Sequence, residues 1–474
     1  MKMNFRKTKI VCTIGPATRT PEGIAELIHA GMNVARLNFS HGDHEEHRET
    51  IRTLRRISKE VGREMGILQD LRGPKIRLGK LPVEEVPLHG GDRVVLKTGE
   101  TSETSVIPVS YPYIFEDVAV GDRILLADGL VELRVEGKEE GNVHCSVVVG
   151  GVIQSHKGMN LPSSSLRVAA FTEKDRKDLA LGLEEGVDFV ALSFVRHEKD
   201  LEPVRRVLNE SIEPPLLIAK IEKPQAIERL ESILPVVDGV MVARGDMGVE
   251  MPLEEVPIIQ KRIIRLARNA GKPVITATQM LRSMIDNPRP TRAEATDVAN
   301  AIFDGTDALM LSEETAIGAY PAAAVRVLDR IAGTTEKHLD GQRFLHEALS
   351  DILPLTESAI SRAACFLAED LDALAIVAAT SSGSTARLVS RFRPACPVIG
   401  LTPDVGTQRK LSLTWGVLPA LITSFKNTEE IFLLARSWVL SQGLVERGDR
   451  LIVTAGVPVG TPGTTNLLRV IEVA

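Results

Sequence analysis

Short aliphatic runs alternate with longer amphipathic segments from the start of the chain to about residue 340. Eight of these runs are continuously apolar over the length of a strand, which is typical of parallel strands buried on both faces of a sheet. Their sequences are KIVCTI from Lys9, NVARLNF from Asn33, MGILQ from Met65, DFVALSF from Asp188, PLLIAKI from Pro215, GVMVA from Gly239, PVITAT from Pro273 and ALMLS from Ala308. Eight strands, each followed by a helical segment, predict a (β/α)8 or TIM barrel.

Amphipathic helices are predicted in nearly every gap between these strands. The clearest examples cover residues 43–61, 172–186 and 253–271. Thr172 is followed three residues later by an acid, Asp175, which predicts a capping box at the start of the second helix.

The alternation of strands and helices is interrupted between the third and fourth strands. Roughly a hundred extra residues lie there, which are too many for a loop of a compact domain. Their short β-rich runs, GGDRVVLKTG, VGDRILLADG and VHCSVVVGGV, are separated by Gly-Asp and Asp-Gly turns. These short strands and turns predict a small β-barrel at residues 74–168, inserted as a lid between barrel segments at 1–73 and 169–340. The insertion would lie at the carboxyl ends of the barrel strands.

The pattern restarts after residue 340. ALAIVAATSSGSTARLVSRF reads as a strand, a turn and a helix, and DRLIVTAGVPVG contains a later strand. Residues 341–474 are therefore expected to form a separate open α/β domain.

Composition argues against several classes of partner and location. The 474 residues carry a formal net charge of -6 with both signs mixed along the chain, so nucleic acid and anionic membranes are not expected partners. No apolar run is long enough to span a bilayer, and the basic start meets Gly15-Pro16 too early for a signal peptide. The four cysteines lack metal-ligand spacing, which fits a reducing cytoplasm.

Polar residues follow the ends of the predicted strands, where barrel enzymes carry their active sites. Singly, each of these residues could be a strand-end cap or a structural ion pair, but together they are expected to face one mouth. They are Arg36, Asn38, Ser40, His41, Asp70, Arg72, Lys75, Arg77, Ser193, Arg196, Lys220, Glu222, Arg244, Asp246, Thr278, Gln279, Ser312 and Glu314.

Glu222 and Asp246 end neighbouring predicted strands, so their carboxylates are expected to share one hard cation. Mg²⁺ bound by one or two carboxylates together with substrate phosphate is the usual arrangement. Lys220, two residues before Glu222 on the same strand face, would place a positive charge beside the metal, as phosphoryl transfer requires. A plain salt bridge among these residues is the alternative.

Six stretches resemble the pyruvate kinase family, and the likeness covers essentially the whole chain. They are NVARLNFSHG, GPKIR, KGMNLP, IAKIEKPQAI, VMVARGDMGVE and ATQMLRSMIDNPRPTRAEATDVANAIFDGTDALMLSEETA. The resemblance implies a barrel interrupted by a mobile lid, a C-terminal regulatory domain, and phosphate transfer from phosphoenolpyruvate to ADP, giving pyruvate and ATP. It also implies Mg²⁺, for which Mn²⁺ would substitute, and a homotetramer.

The resemblance also assigns roles, residue by residue. Lys220, Arg36 and Thr278 would be catalytic, with Thr278 or a water that it orients as the proton route to the enolate. The substrate-binding residues would be Arg36, Gly245, Asp246 and Thr278, and Mg²⁺ would be held by Glu222 and Asp246. The nucleotide-binding residues would be Asn38, Phe39, Ser40, His41, Arg77 and Lys157, the last reaching in from the lid.

The sequence departs from the family pattern at two positions, Glu313 and Lys75. Glu313 stands where many relatives carry glycine, and Lys75 stands where potassium-dependent relatives carry glutamate. The family's monovalent-cation pocket would fall at Asn38, Ser40, Asp70 and Leu71. Because a lysine ammonium is a tethered monovalent cation that repels a free one, Lys75 predicts an enzyme that does not require potassium.

The C-terminal loop Thr380, Ser381, Ser382, Gly383, Ser384 and Thr385 follows a strand and opens a helix. Its hydroxyl and N–H groups are expected to hold the phosphate of an effector, a sugar phosphate or AMP, with residues 460–466 as a second wall. An ordinary helix-capping turn is the alternative.

Two other functions remain open on the sequence alone. A metal-dependent aldolase would also use a strand-end Glu and Asp pair, but it has no ADP for Lys157 and Arg77 to cover. A non-catalytic metabolite sensor would be expected to have lost Lys220 or a metal ligand, and neither is lost.

Overall fold

The computed structural model describes residues 5–99, 101, 103, 105–162, 167–341, 344–345, 355–458 and 464–473. Its first part contains three strands and two long helices: β1 (Lys9–Thr13), α1 (Pro21–Ala30), β2 (Val34–Asn38), α2 (His44–Val61) and β3 (Gly66–Asp70). Thr20 and Asp43 begin the two helices, because their side chains accept hydrogen bonds from backbone N–H groups of the first turn.

The insertion follows β3. Its elements are β4 (Glu85–Leu88), β5 (Arg93–Thr98), β6 (Val106–Val109), α3 (Ile114–Asp117), β7 (Arg123–Leu126), β8 (Val131–Glu139), β9 (Asn142–Val149), β10 (Gly151–Gln154) and β11 (Met159–Asn160). They form a six-stranded sheet in the order β11-β7-β8-β9-β5-β6 and a two-stranded sheet of β10 and β4. Alternating burial along β8 and β9 places one face of the sheet on an apolar core that belongs to the insertion.

The chain then returns to strand–helix units. They are α4 (Glu173–Glu184), β12 (Phe189–Leu192), α5 (Glu202–Asn209), β13 (Leu216–Ile221), α6 (Pro224–Glu228), α7 (Leu230–Ile233), β14 (Gly239–Ala243), α8 (Arg244–Glu250), α9 (Val256–Asn269), β15 (Val274–Ala277), α10 (Arg292–Asp304), β16 (Ala308–Leu311), α11 (Glu313–Ala316) and α12 (Pro321–Thr335). The predicted capping box of Thr172 and Asp175 is present at the start of α4.

Eight parallel strands close into a barrel in the order β1-β16-β15-β14-β13-β12-β3-β2. Closure pairs Lys9 of β1 with Ala308 of β16, and β3 lies directly beside β12 although the insertion separates them in sequence. The predicted barrel and its eight strands are confirmed. The strands are buried along nearly their whole length because helices cover them outside and side chains fill the barrel inside.

The C-terminal domain is an open α/β sandwich. Its elements are α13 (Thr356–Asp370), β17 (Ala375–Ala379), α14 (Ser384–Ser390), β18 (Val398–Thr402), α15 (Val405–Lys410), β19 (Val417–Leu421), α16 (Thr428–Ser441), β20 (Arg450–Gly456) and β21 (Thr465–Glu472). The sheet order is β19-β18-β17-β20-β21, with β21 antiparallel at one edge and an apolar core on each face. The predicted separate domain is therefore confirmed. Throughout the described ranges, helices are too short or too polar to cross a membrane.

Candidate active site

The carboxyl ends of the barrel strands open into a cavity of about 200 Å³, with the insertion on its far side. Residues of β11 and of the turn before it supply the upper wall, including Gly158 and Asn160. The predicted strand-end residues that line the cavity are Arg36, Asn38, Ser40, His41, Asp70, Arg72, Lys75, Ser193, Arg196, Lys220, Glu222 and Asp246. The expectation that these side chains face one mouth is therefore met for twelve of the eighteen positions, drawn from five strands. Six predicted residues do not belong to this lining: Arg77, Arg244, Thr278, Gln279, Ser312 and Glu314.

Lys220 projects from β13 into the centre of the cavity. Its Nζ donates to the Ser193 hydroxyl at 2.8 Å and lies 2.8 Å from Glu222 Oε1 and 3.5 Å from Asp70 Oδ1. Burial alone would lower its pKa, but the charges of Asp70, Glu222 and Asp246 outweigh that effect and raise the pKa of Lys220 above its ordinary value. The residue is therefore a fixed positive charge at neutral pH.

Arg36, in the middle of β2, is held by two hydrogen-bond partners near the lysine. Its Nε donates to Asp70 Oδ2 at 2.7 Å, and its NH1 donates to the Thr13 hydroxyl at 2.9 Å. Burial opposes ionisation of Asp70, but the Lys220 and Arg36 charges prevail and hold its pKa below the ordinary range. Arg36 and Lys220 therefore hold two cationic donor groups around the Asp70 carboxylate, and such groups suit a phosphate.

Glu222 supplies the opposite charge. Its Oε2 accepts the backbone N–H of Phe194 at 2.8 Å, whereas its buried Oε1 accepts no well-aligned hydrogen bond from the described residues. Burial and the nearby Asp246 charge raise the pKa of Glu222, although the Lys220 charge opposes this shift. Groups of three or more His, Cys, Asp or Glu side chains that could ligate a metal are absent from the described ranges. The two carboxylates of Glu222 and Asp246 fit a Mg²⁺ ion that takes its other ligands from substrate and water.

Thr278 and Gly245 lie beside each other at the ends of β15 and β14. Thr278 has a backbone φ of +70°, a left-handed conformation that costs energy for a β-branched residue and turns its hydroxyl toward Gly245. That hydroxyl accepts the Gly245 N–H at 2.7 Å and donates to the Ala277 carbonyl at 2.6 Å. Neither residue belongs to the lining of the 200 Å³ cavity, so the structure places this predicted pair at its margin rather than inside it.

A contact between the barrel and the insertion was not predicted from the sequence. Glu250 Oε1, at the end of α8, accepts both the Lys223 ammonium at 2.5 Å and the Asn160 side-chain amide at 2.7 Å. Lys223 follows Glu222 directly, and α8 carries Asp246. The lid is thereby joined to the two segments that hold the predicted metal ligands. The sequence signal for this contact is the charge of Lys223, which directly follows Ile221 and Glu222.

Two family models match the chain. One, described as pyruvate kinase, barrel domain, matches residues 5–325, and the other, described as pyruvate kinase, alpha/beta domain, matches residues 358–471. The chain belongs to the pyruvate kinase family. The family predicted from the sequence motifs is confirmed, and so is the enzyme class.

Individual relatives agree with the pyruvate kinase assignment. The chain is 47% identical to a pyruvate kinase of Sporosarcina psychrophila over 98% of this chain and 80% of that protein. It is 45% identical to a pyruvate kinase of Clostridium acetobutylicum over 98% of this chain and 99% of that protein. A crystal structure of a pyruvate kinase from Cryptosporidium parvum aligns with a TM-score of 0.94 at 36% identity, covering 99% of this chain and 96% of that one. The chain therefore shares its barrel, insertion and C-terminal domain with the Cryptosporidium parvum enzyme.

The residues expected to bind nucleotide from the likeness to pyruvate kinases are divided between two regions. Asn38, Ser40 and His41 line the cavity, whereas Phe39 is buried and its ring stacks on that of His47 with centroids 3.9 Å apart. Arg77 and Lys157 lie together in the insertion, outside the cavity lining. The Arg77 guanidinium donates to the carbonyl of His156 at 2.9 Å, next to Lys157.

The expected monovalent-cation pocket of pyruvate kinases is also divided. Asn38, Ser40 and Asp70 line the cavity, but the Leu71 side chain is fully buried in the barrel core. Lys75 lines the same cavity, and its exposed side chain forms no ion pair with the described residues. Glu313, the other departure from the pyruvate kinase pattern, starts α11 on the surface, 3.9 Å from the Arg282 guanidinium.

The loop expected to bind an effector connects β17 to α14 in the C-terminal domain. Thr380 accepts the N–H of Gly383 at 2.9 Å, and Gly383 adopts a φ of +81° that glycine tolerates without strain. The Thr385 and Thr465 hydroxyls lie 2.8 Å apart, so two parts of the predicted site are in contact. Of the predicted second wall, residues 460–463 lie outside the described residues, whereas Asn466 exchanges two hydrogen bonds with the Val457 backbone.

Proposed function

We propose that the chain transfers the phosphoryl group of phosphoenolpyruvate to ADP, giving pyruvate and ATP, in the cavity at the barrel mouth, with Mg²⁺ held by Glu222 and Asp246. The observation that carries this proposal is the position of the Lys220 ammonium. It is buried among three carboxylates and hydrogen-bonded to Ser193, so its charge is fixed before any substrate binds. A fixed positive charge stabilises a transferring phosphoryl group most when no reorganisation is needed.

Different residues of this chain perform different parts of the proposed reaction. Arg36, locked by Asp70 and Thr13, binds the phosphate of phosphoenolpyruvate, and Lys220 stabilises the phosphoryl group during transfer. Gly245 and Thr278 position the carboxylate of phosphoenolpyruvate, and Thr278 or a water that it orients delivers the proton to the enolate. Arg77 and Lys157 hold the nucleotide from the lid, which excludes water from the closed site. Bound Mg²⁺, or Mn²⁺ in its place, supplies positive charge that offsets the charge on the phosphates.

The activity is tested by following pyruvate formed from phosphoenolpyruvate and ADP with a coupled assay. Formation of pyruvate that depends on both substrates separates a kinase from an aldolase and from a non-catalytic sensor. No pyruvate formation from the wild-type chain would refute the proposed function.

The metal site has its own test. Glu222→Gln and Asp246→Asn should each raise the Mg²⁺ concentration needed for half-maximal activity, and each should weaken Mn²⁺ binding measured by electron paramagnetic resonance. Glu60→Gln is the matched control, because Glu60 is an exposed acid that is paired with Arg56 on α2 and does not line the cavity. If both cavity variants bound Mn²⁺ like the control, the metal would lie elsewhere.

Potassium independence is the second part of the proposal. Lys75 reaches the cavity that Asn38, Ser40 and Asp70 share, and its side chain carries no other ion pair among the described residues. Its ammonium takes the place of a free monovalent cation. Leu71 supports this, because its buried apolar side chain provides no oxygen ligand.

Regulation is the third part of the proposal. A phosphorylated metabolite, a sugar phosphate or AMP, would bind the hydroxyl-rich loop at residues 380–385 and activate the enzyme. Hydroxyls of Ser382 and Ser384 lie 3.1 Å apart at the start of α14, which supports phosphate binding there.

We also propose a cytoplasmic homotetramer with domain boundaries at 1–73, 74–168, 169–340 and 341–474. Four free cysteines agree with the reducing compartment.

A further inference from the structure

A second cavity lies between the barrel and the C-terminal domain, at the opposite end of the strands from the active site. Pro273 and Asp307, which directly precede β15 and β16, belong to its barrel side, and residues of α14 and of the segments after it form the other side. Basic side chains dominate the lining. They are Arg268, Lys272, Arg387, Arg391 and Arg393.

Among the described lining residues, positively charged side chains outnumber carboxylates. Asp307 is the one carboxylate among the described lining residues, and it is already shared by Arg393 at 3.1 Å and by the backbone N–H groups of Val274 and Trp415. Asp238, whose charge also acts on Lys272 and Arg387, is paired with Arg205 at 2.9 Å. A buried cation whose partners are neutral is costly, so a site that contains one favours an added anion.

Arg391, one of the arginines that line the cavity, donates its hydrogen bonds to neutral partners. Arg391 is 8% exposed, and it donates to the carbonyl of Asn269 and the hydroxyl of Ser358. Burial first, and then the neighbouring Arg362 and Arg268 charges, lower the pKa of Arg391 to about 10. A lowered arginine pKa means that the protein around it stabilises the charge less well than water does.

Three residues that line the cavity also carry buried donors without hydrogen-bond partners among the described residues. The Nε atoms of Arg391 and Arg393 are buried and have no hydrogen-bond partner among the described residues. The hydroxyl of Thr414, a lining residue that is 2% exposed, likewise lacks a partner within the described part of the chain. Buried donors in native proteins are normally satisfied, so three unused donors around one void call for an acceptor.

We propose that this cavity binds one small inorganic anion, chloride or phosphate, that bridges the barrel and the C-terminal domain. The cavity has about 10 Å³ for the centre of a water-sized particle, which is room for one such particle. Chloride is larger than water and requires a small expansion of the cavity, and phosphate requires its open mouth to widen further. Guanidinium and hydroxyl donors suit either ion.

Thermal unfolding of the full chain tests the proposal. At fixed ionic strength, replacing sodium gluconate with sodium chloride, or in a second series with sodium phosphate, should raise the Tm in a saturable way, because the anion binds only the folded protein. Arg391→Met and the nearly isosteric Thr414→Val should each raise the half-saturating anion concentration about tenfold, the effect of losing one hydrogen bond to a charged group. Saturation with phosphate alone would identify the oxyanion as the occupant.

Arg409→Met is the matched control. Arg409 also crosses from the C-terminal domain to the barrel, but it has its own carboxylate partner, Glu64, at 3.0 Å. Its anion dependence should equal that of the wild type. Bromide soaked into crystals of the wild-type chain should give an anomalous peak beside Arg391 and Arg393. An unchanged anion dependence in both cavity variants would overturn the proposal. So would a wild-type Tm that does not distinguish gluconate from either anion.

Discussion

Replacing Lys220 with methionine removes one positive charge from the centre of the active-site cavity and keeps most of the hydrocarbon stem. The ammonium is 2.8 Å from Glu222 and 3.5 Å from Asp70, and its side chain is only 12% exposed. A phosphoryl oxygen about 4 Å from this charge would interact with it by about 4 kcal/mol at an effective dielectric constant near 20. Part of that interaction is already present with bound substrate. We therefore expect the turnover number to fall about a hundredfold to a thousandfold, equivalent to about 2.7–4 kcal/mol.

Steady-state kinetics with the coupled pyruvate assay checks this expectation. The loss should appear in kcat, with the KM for phosphoenolpyruvate changed only a few fold, because the charge acts most strongly during transfer. Lys261→Met serves as the control for a lost lysine, since Lys261 is a half-exposed residue of α9 paired with Asp304. Normal kcat with a raised KM in the Lys220 variant would show that the lysine only binds substrate, and the assigned role would be wrong.

Three further predictions concern other parts of the chain. Lys75→Glu should make activity depend on potassium, whereas the wild type should be equally active in tetramethylammonium chloride and in KCl; strong activation of the wild type by KCl would contradict the reading of Lys75. Ser382→Glu should abolish activation by sugar phosphates or AMP at subsaturating phosphoenolpyruvate, and an unchanged response would exclude the loop at residues 380–385. Glu294→Gln should lower the free energy of unfolding in urea by about 1 kcal/mol, because Glu294 accepts hydrogen bonds from Ser283 and Thr291 at the start of α10. Burial alone would raise the pKa of Glu294, but these hydrogen bonds outweigh that effect and lower the pKa below 4.5. The stabilisation is therefore present above pH 4.5. The difference in unfolding free energy between variant and wild type should vanish as the pH falls through the folded-state pKa.

The barrel strands were predictable because burial on both faces leaves an unbroken aliphatic run in the sequence. KIVCTI corresponds to β1 (Lys9–Thr13), and GVMVA corresponds to β14 (Gly239–Ala243) along its whole length. Capping at α4 was equally local, since Thr172 and Asp175 satisfy each other within one turn. Such signals depend on neighbours within a few residues, and these are visible in the sequence.

Partnerships between distant residues were not predictable in the same way. The sequence marked Thr278 as a strand-end hydroxyl, but it did not reveal that Gly245 and Ala277 would occupy that hydroxyl. Nor did it indicate that Glu250 would join Asn160 to Lys223, because each of the three belongs to a different segment. Periodicity identifies which face of an element is buried, whereas hydrogen-bond partners depend on how elements meet.

The pairing of β1 with β16 has a consequence for how the chain is made. Lys9 finds its partner only at Ala308, so the barrel cannot close until most of the protein has left the ribosome. The insertion contains its sheets within residues 85–160 and has its own apolar core, and it is complete much earlier. During synthesis the lid would therefore mature while β1, β2 and β3 still lack the other five strands of the barrel. Both open edges, β1 and β3, then wait for later strands, and this interval is when the nascent chain is most exposed to misassociation.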